Sequence, residues 1–481
     1  MRKQLYFVLI LALFTTVSAA AGIVKDIGIR SGAPGAGNPL SALNPFELAL
    51  FNEGKGRVGE LEATCATCAA LTSGATPNED PLLATRTSAT GLGARFNADQ
   101  CIACHSQPAV GGSGGFLVPN PKDSAHRVPE NPLFDLIPHR FGQSNVVPSF
   151  IKQYGPVRIA RFIKKPDGAP DGKIYPLFTV VGRTDDPSIS DCKAAILPHP
   201  DFETELRKGN IAFRIPLQLF GLGLIEALTD AEIVGRHRAS AAYRAQNGIV
   251  GIPNGSASNR FGWKAQHRSL EQFTDASTDF APQMKQIPPQ CIGSDTPEAP
   301  VLLGGAEFEA PSADLINPVV LLATSFVRYL DAPQPVRLSQ LAVRGQVLFG
   351  TGPEQPGIGC AACHTAQMMT SDKASTAALR NRQVNLYSDL LLHQMGPGLA
   401  DNINQGQARG DMFRTTPLWG LGQRRFFLHD GRTADLLVAI DAHASPAGNG
   451  YPASEANAVI ARFKLLPPVD QQAILSFLRS L

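Results

Sequence analysis

Two five-residue stretches, 101-CIACH-105 and 360-CAACH-364, constrain this chain more than anything else in it. In C-x-x-C-H the two thiols stand about one helical turn apart and can add to the two vinyl groups of one haem. The next residue then places its imidazole under the iron as proximal ligand. A zinc site would need two further Cys or His at finger-like spacing, and neither motif has them nearby. The sequence therefore predicts two covalently bound haem c groups. Cys101, Cys104, Cys360 and Cys363 are the attachment points, and His105 and His364 the proximal iron ligands. A fold carrying two such motifs is expected to wrap each haem in its own helical module, with the porphyrin supplying much of the apolar core.

A third pair, Cys65 and Cys68 in 63-ATCATCAAL-71, has the same spacing but no histidine after it. With the haem cysteines set aside, Cys65, Cys68, Cys192 and Cys291 remain. An even number in an oxidising compartment favours two disulfides, and proximity along the chain favours Cys65–Cys68 with Cys192–Cys291. A redox-cycling dithiol at Cys65 and Cys68 is the sharper reading of that pair, but it lacks the βαβ context such motifs usually occupy.

The compartment is read from 1-MRKQLYFVLILALFTTVSAAAG-22, where Arg2 and Lys3 precede an apolar run and a small-residue stretch. This is the pattern of a secretory signal peptide over 1–21. The run is shorter than the roughly 20 residues needed to span a bilayer. A periplasmic or otherwise exported protein without a stable transmembrane anchor is expected. The formal net charge of +2, from 43 basic and 41 acidic residues, gives no argument for a nucleic-acid partner. Gly (45) and Pro (38) predict many turns and long connections.

Along the chain, 22–44 reads as an extended arm. A helix is expected from Pro45 to Arg57, another from Ser339 as N-cap with Leu341, Gly345, Leu348 and Phe349 on one face, and a closing one with the stripe Ile474, Phe477, Leu478 and Leu481. Each haem motif follows a helix that ends near an aromatic and a glycine: Phe51 and Gly54 before the first, Phe349 and Gly350 before the second. The expected fold is mainly α: two cytochrome c-like haem domains, 45–330 and 331–481, with long loop-rich insertions and a few short strands. The boundary falls at the prolines of 331-DAPQPVR-337.

The stretches 94-ARFNADQCIACHSQPAVGGSG-114, 218-QLFGLGLIEAL-228, 261-FGWKAQ-266, 388-SDLLLHQMGPGLADNINQGQARG-410 and 413-FRTTPLWGLGQRRFFLHDGRTADLLVAI-440 resemble the bacterial di-haem oxidoreductase family, described as peroxidases or thiol oxidoreductases. The last block is also similar to the di-haem cytochrome c peroxidases. In those, the methionine before the Phe-Arg pair ligates the electron-relay haem. Met412 stands at that place, where the nearer family has an acidic residue. The resemblance implies an exported di-haem oxidoreductase, peroxidase-like, that passes electrons between its haems. A redox partner protein and a small oxidant such as peroxide come with it. A non-catalytic di-haem electron-transfer cytochrome is the alternative. Candidate distal ligands are Met412, His429 and His393. Trp263 and Trp419 fit either an indole between two haems or packing against a porphyrin face. Arg414 and Arg432 could bind propionates through bidentate charge-assisted bonds. Nothing in these residues identifies a thiol substrate, or the Glu/Gln pair that assists peroxide cleavage in the cytochrome c peroxidases.

Overall fold

The computed structural model describes residues 23–59, 61–63, 90–92, 95–96, 98, 100–136, 147–175, 177, 179–180, 200–256, 259–278 and 318–481. The signal segment and Cys65, Cys68, Cys192 and Cys291 lie outside the described residues.

The first helix, α1 (Pro45–Val58), begins where Asn44 accepts from the Glu47 amide at 2.9 Å and the Glu47 carboxylate accepts from the Asn44 amide. This reciprocal cap satisfies two amides that a helix start otherwise leaves bare. Phe51, Gly54 and Val58 form its buried face. That face packs on α2 (Pro318–Tyr329), a helix not singled out by the sequence, with Phe51 against Phe326 at 5.4 Å between ring centroids. Gly54 permits the approach, because a Cβ there would sit 2.1 Å from the Leu322 carbonyl oxygen.

The same device recurs in the C-terminal half. Ser339 caps α3 (Gln340–Phe349) by accepting from the Ala342 amide at 3.1 Å. Ala342, Gly345 and Phe349 are buried. The helix packs on the last helix of the chain, again with a 5.4 Å pair, Phe349 on Phe477, and again through a glycine whose Cβ would lie 1.9 Å from a carbonyl oxygen, that of Ala473. Thus a helix ahead of each CxxCH docks through a phenylalanine and a glycine onto a helix much later in sequence.

Helices carry more of the described chain than strands do, and the strands are two to seven residues long. They are more numerous than the sequence suggests, pairing into small sheets of two or three. A two-residue strand shows no alternation to read, yet its pairing still satisfies loop backbone. Two sheets matter for the site. In the N-terminal half, β1 (Ile159–Phe162) lies between β2 (Ile174–Tyr175) and β3 (Ile211–Arg214). In the C-terminal half, β4 (Leu392–Gln394) pairs antiparallel with β5 (Met412–Arg414), with His393 opposite Phe413. Three further helices close the chain: α4 (Leu436–Asp441), α5 (Asn457–Leu465) and α6 (Pro468–Leu478). Ile474, Phe477, Leu478 and Leu481 are buried together, as their spacing requires. Among the described residues no helix is long and apolar enough to cross a membrane.

Candidate functional site: two imidazole-bearing motifs and a C-terminal cavity

Each CxxCH begins as a single 3-10 turn, Cys101–Ala103 and Cys360–Ala362. After the first, 111-GGSGG-115 folds back on the motif. Gly111 (φ 97°) and Gly114 (φ 109°) adopt left-handed backbone, and the Gly112 carbonyl accepts from His105 Nδ1 at 3.1 Å. After the second, Tyr387 takes a left-handed conformation (φ 49°) that is costly for a residue with a side chain. Its carbonyl accepts from His364 Nδ1 at 2.9 Å. The His364 ring is thus held in the tautomer that leaves Nε2 to coordinate, while the His105 ring also meets the Leu217 backbone. Burial pushes both down to about 4, so both are neutral at physiological pH, as a ligand must be.

Around the second motif lies a cavity of about 1440 Å³ of atom-free space, part of it open to solvent. Cys360, Cys363 and His364 line it together with Phe349, Leu421, Phe427, Ile460, Phe463 and other apolar side chains from α3 to α6. His443, just past α4, lines it too. Its Nδ1 donates to the Ala439 carbonyl at 2.8 Å, and burial lowers its pKa below the ordinary 6.5. It lies near enough to His364 to depress that ring further. His443 therefore has a backbone-carbonyl tether like those of the two motif histidines, with the Ile440 backbone beside it as well. No sequence signal marks His443, since a single histidine after a short helix has no spacing partner.

The distal candidates read from sequence are placed differently. Met412 is 3% exposed but packs with Ala265, Leu392 and Ala408 and does not line the cavity. His393 lines it, but both nitrogens are engaged: Nδ1 with Glu455 at 2.9 Å and Nε2 with Asp389 at 3.0 Å. Burial disfavours a charged His393, yet Cys363 and Asp389 outweigh it and hold its pKa well above 6.5. His429 lines the cavity stacked on Phe413 at 4.2 Å, edge-on to Trp263, and burial pushes it to about 4.

Trp263 lines the same cavity and donates through its indole N–H to the Ile215 carbonyl at 2.9 Å. The backbone of Leu217, two residues on, lies beside the His105 ring. One short segment therefore touches both motifs' surroundings. Trp419 belongs instead to a core cluster drawn from both halves of the chain, against Gly221. Strand β5 is anchored by Lys264, whose ammonium donates to the carbonyls of Arg409 (2.8 Å) and Met412 (2.9 Å), pairs with Asp401 at 3.2 Å, and sits 4.1 Å over the Phe413 ring. Arg214 of β3 reaches Asp401 at 2.6 Å and ties the N-terminal sheet to the same anchor. Arg432 pairs with Asp430 and the Gly398 carbonyl, both at 2.7 Å, and does not line the cavity.

Residues 332–481 match the model of the family described as "Di-haem oxidoreductase, putative peroxidase". That is the family the sequence motifs resemble. The crystal structure of a MauG-like protein associated with microbial copper homeostasis aligns at 18% identity and a TM-score of 0.23. The alignment covers 34% of this chain and 52% of that one, about half its length, and is too distant to bear on the fold. No curated protein matches the chain. The donor set itself fits a haem c in the di-haem segment: two cysteines, two neutral carbonyl-tethered imidazoles and an apolar enclosure around one cavity.

Proposed function

We propose that the protein is an exported, peroxidase-like di-haem c oxidoreductase in which electrons pass between two covalently attached haems. The observation that carries this is that His364 and His443, each tethered through Nδ1 to a backbone carbonyl, line the same cavity as Cys360 and Cys363. Haem c supplies one-electron redox chemistry, and the protein sets its reactivity through axial ligands, burial and hydrogen bonds.

In the C-terminal site, Cys360 and Cys363 would attach the group, and His364 and His443 would offer Nε2 to its iron. The carbonyls of Tyr387 and Ala439 keep each proton on Nδ1. The apolar lining excludes water. An iron held by two imidazoles has no position left for an oxidant, which suits a relay. In the N-terminal site, Cys101 and Cys104 would attach the group and His105 would bind its iron. The cluster packed against Cys104 is built from Leu133, Ile151, Phe162, Phe202, Phe213 and their neighbours. With one tethered imidazole at this motif and two in the C-terminal cavity, we assign the reduction of a small oxidant such as peroxide to the N-terminal site. The segment from Ile215 to Leu217, with Trp263, links the surroundings of the two motifs.

Denaturing mass spectrometry of the purified protein is expected to show two haem additions, falling to one in a Cys360→Ser, Cys363→Ser double variant. The reduced protein is expected to be reoxidised stoichiometrically by peroxide. Two haems with no reaction toward peroxide would leave an electron-transfer cytochrome and reject the peroxidase reading.

A further inference from the structure

The C-terminal cavity holds positive charge that its histidines do not explain. Arg414 and Arg424 both line it, and they are 4% and 7% exposed. Among the described residues neither guanidinium has a carboxylate partner. Arg414 donates through Nε to the Gly262 carbonyl at 2.9 Å and makes one long contact, 3.5 Å, to the Thr415 carbonyl. Arg424 donates through Nε to the Phe426 carbonyl at 3.1 Å, and its buried Nη2 has no partner at all. Glu455, the one carboxylate lining the cavity, is already saturated by His393 and the amides of Val250, Gly251 and Gln394. Burying a charge without a counter-ion is among the costliest arrangements in a protein, and burial pushes both guanidiniums down to about 10. Two unpaired cations in one apolar cavity call for two anions.

Both arginines are rooted on the side tied to the other motif. The Arg414 amide donates to the Trp263 carbonyl, and Trp263 is bound to Ile215. Arg424 follows Gln423, whose carbonyl accepts from Gln107 Nε2 at 2.7 Å, two residues beyond His105. We propose that Arg414 and Arg424 form a carboxylate clamp that takes the two propionates of the C-terminal haem and turns that edge toward the N-terminal motif. The proposal rests on the haem assignment above and goes beyond it by fixing which way the group lies.

The test uses the full-length di-haem protein and its Arg414→Leu, Arg424→Leu and Arg424→Lys variants, each first checked for two haem additions by denaturing mass. Loss of those additions would indict the haem assignment, not the clamp. With both haems attached, potentiometric titration is expected to show the C-terminal haem shifted to lower potential in each leucine variant, because removing a nearby cation favours the ferric form. The lysine variant is expected to keep most of the parent potential. Unchanged potentials in both leucine variants would overturn the clamp. In the unaltered protein, redox-difference infrared spectra with carboxyl-labelled haem give an independent reading. Propionates that stay ionised below the ordinary carboxylic-acid pKa of about 4 support it, and propionates that protonate at or above that value contradict it.

Discussion

At the scale of the residue, a backbone-carbonyl tether on Nδ1 marks the three histidines proposed as ligands. His105, His364 and His443 each donate to a backbone carbonyl, whereas His393 is spent between two carboxylates. The first two are legible in the sequence because a covalent attachment motif fixes them by adjacency. His443 is not, because its partner across the cavity is 79 positions away (443 − 364) and only the fold brings them together. Met412 shows the converse. Its place before Phe413 and Arg414 matches a ligand position by resemblance, but its side chain packs into a small cluster while both Phe413 and Arg414 line the cavity. Met412→Ala is expected to cost about 2–5 kcal/mol of stability and to leave the visible and near-infrared haem spectra unchanged. Loss of a methionine charge-transfer band in that variant would restore the ligand role to Met412.

The buried Asp401 gives a pH prediction at the same scale. Burial alone would raise its carboxyl, but Arg214 and Lys264 outweigh it and hold the pKa below 3.8. The folded value therefore lies below the unfolded one. The stabilisation is complete above about pH 4 and is lost as pH falls through the folded value. Asp401→Asn leaves two buried cations short of a counter-charge and should lower the unfolding free energy by roughly 3–5 kcal/mol. Urea titrations of parent and variant at neutral pH and at pH 3 check this: the gap between them should narrow in acid, and a constant gap would assign the loss to packing instead.

At the scale of the element, the chain builds its two halves with one device, a helix ahead of each motif that meets a distant helix through a glycine. The helices at Pro45–Val58, Gln340–Phe349 and Pro468–Leu478 are legible because caps and apolar stripes are local signals. Pro318–Tyr329 is harder to read, because its packing partner lies some 270 residues earlier in the chain (318 to 329 against 45 to 58). Strands of two to four residues are illegible for want of a period. Gly345→Ala tests the docking: its Cβ would meet the Ala473 carbonyl at 1.9 Å, so thermal unfolding should show a loss of about 1–3 kcal/mol, with the haem count unchanged. An unaltered melting temperature would mean that the two helices separate at little cost.

At the scale of the whole molecule, the N-terminal sheet, the Trp263 segment and the di-haem family segment meet at one place, where Arg214 pairs with Asp401 and the indole binds Ile215. The presence of two haem motifs was open to reading from sequence. Their connection was not, since it depends on contacts between residues 187 apart in one case and 48 in the other. The division of labour proposed for the motifs rests on His443 joining His364 in the lining of the C-terminal cavity. Low-temperature EPR of the oxidised protein and of His443→Ala tests it most directly. The parent should give one low-spin ferric signal, from the site held by His364 and His443, beside one high-spin signal from the N-terminal site. The variant should lose the low-spin signal and gain a second high-spin one. A low-spin signal that persists unchanged in His443→Ala would contradict this assignment.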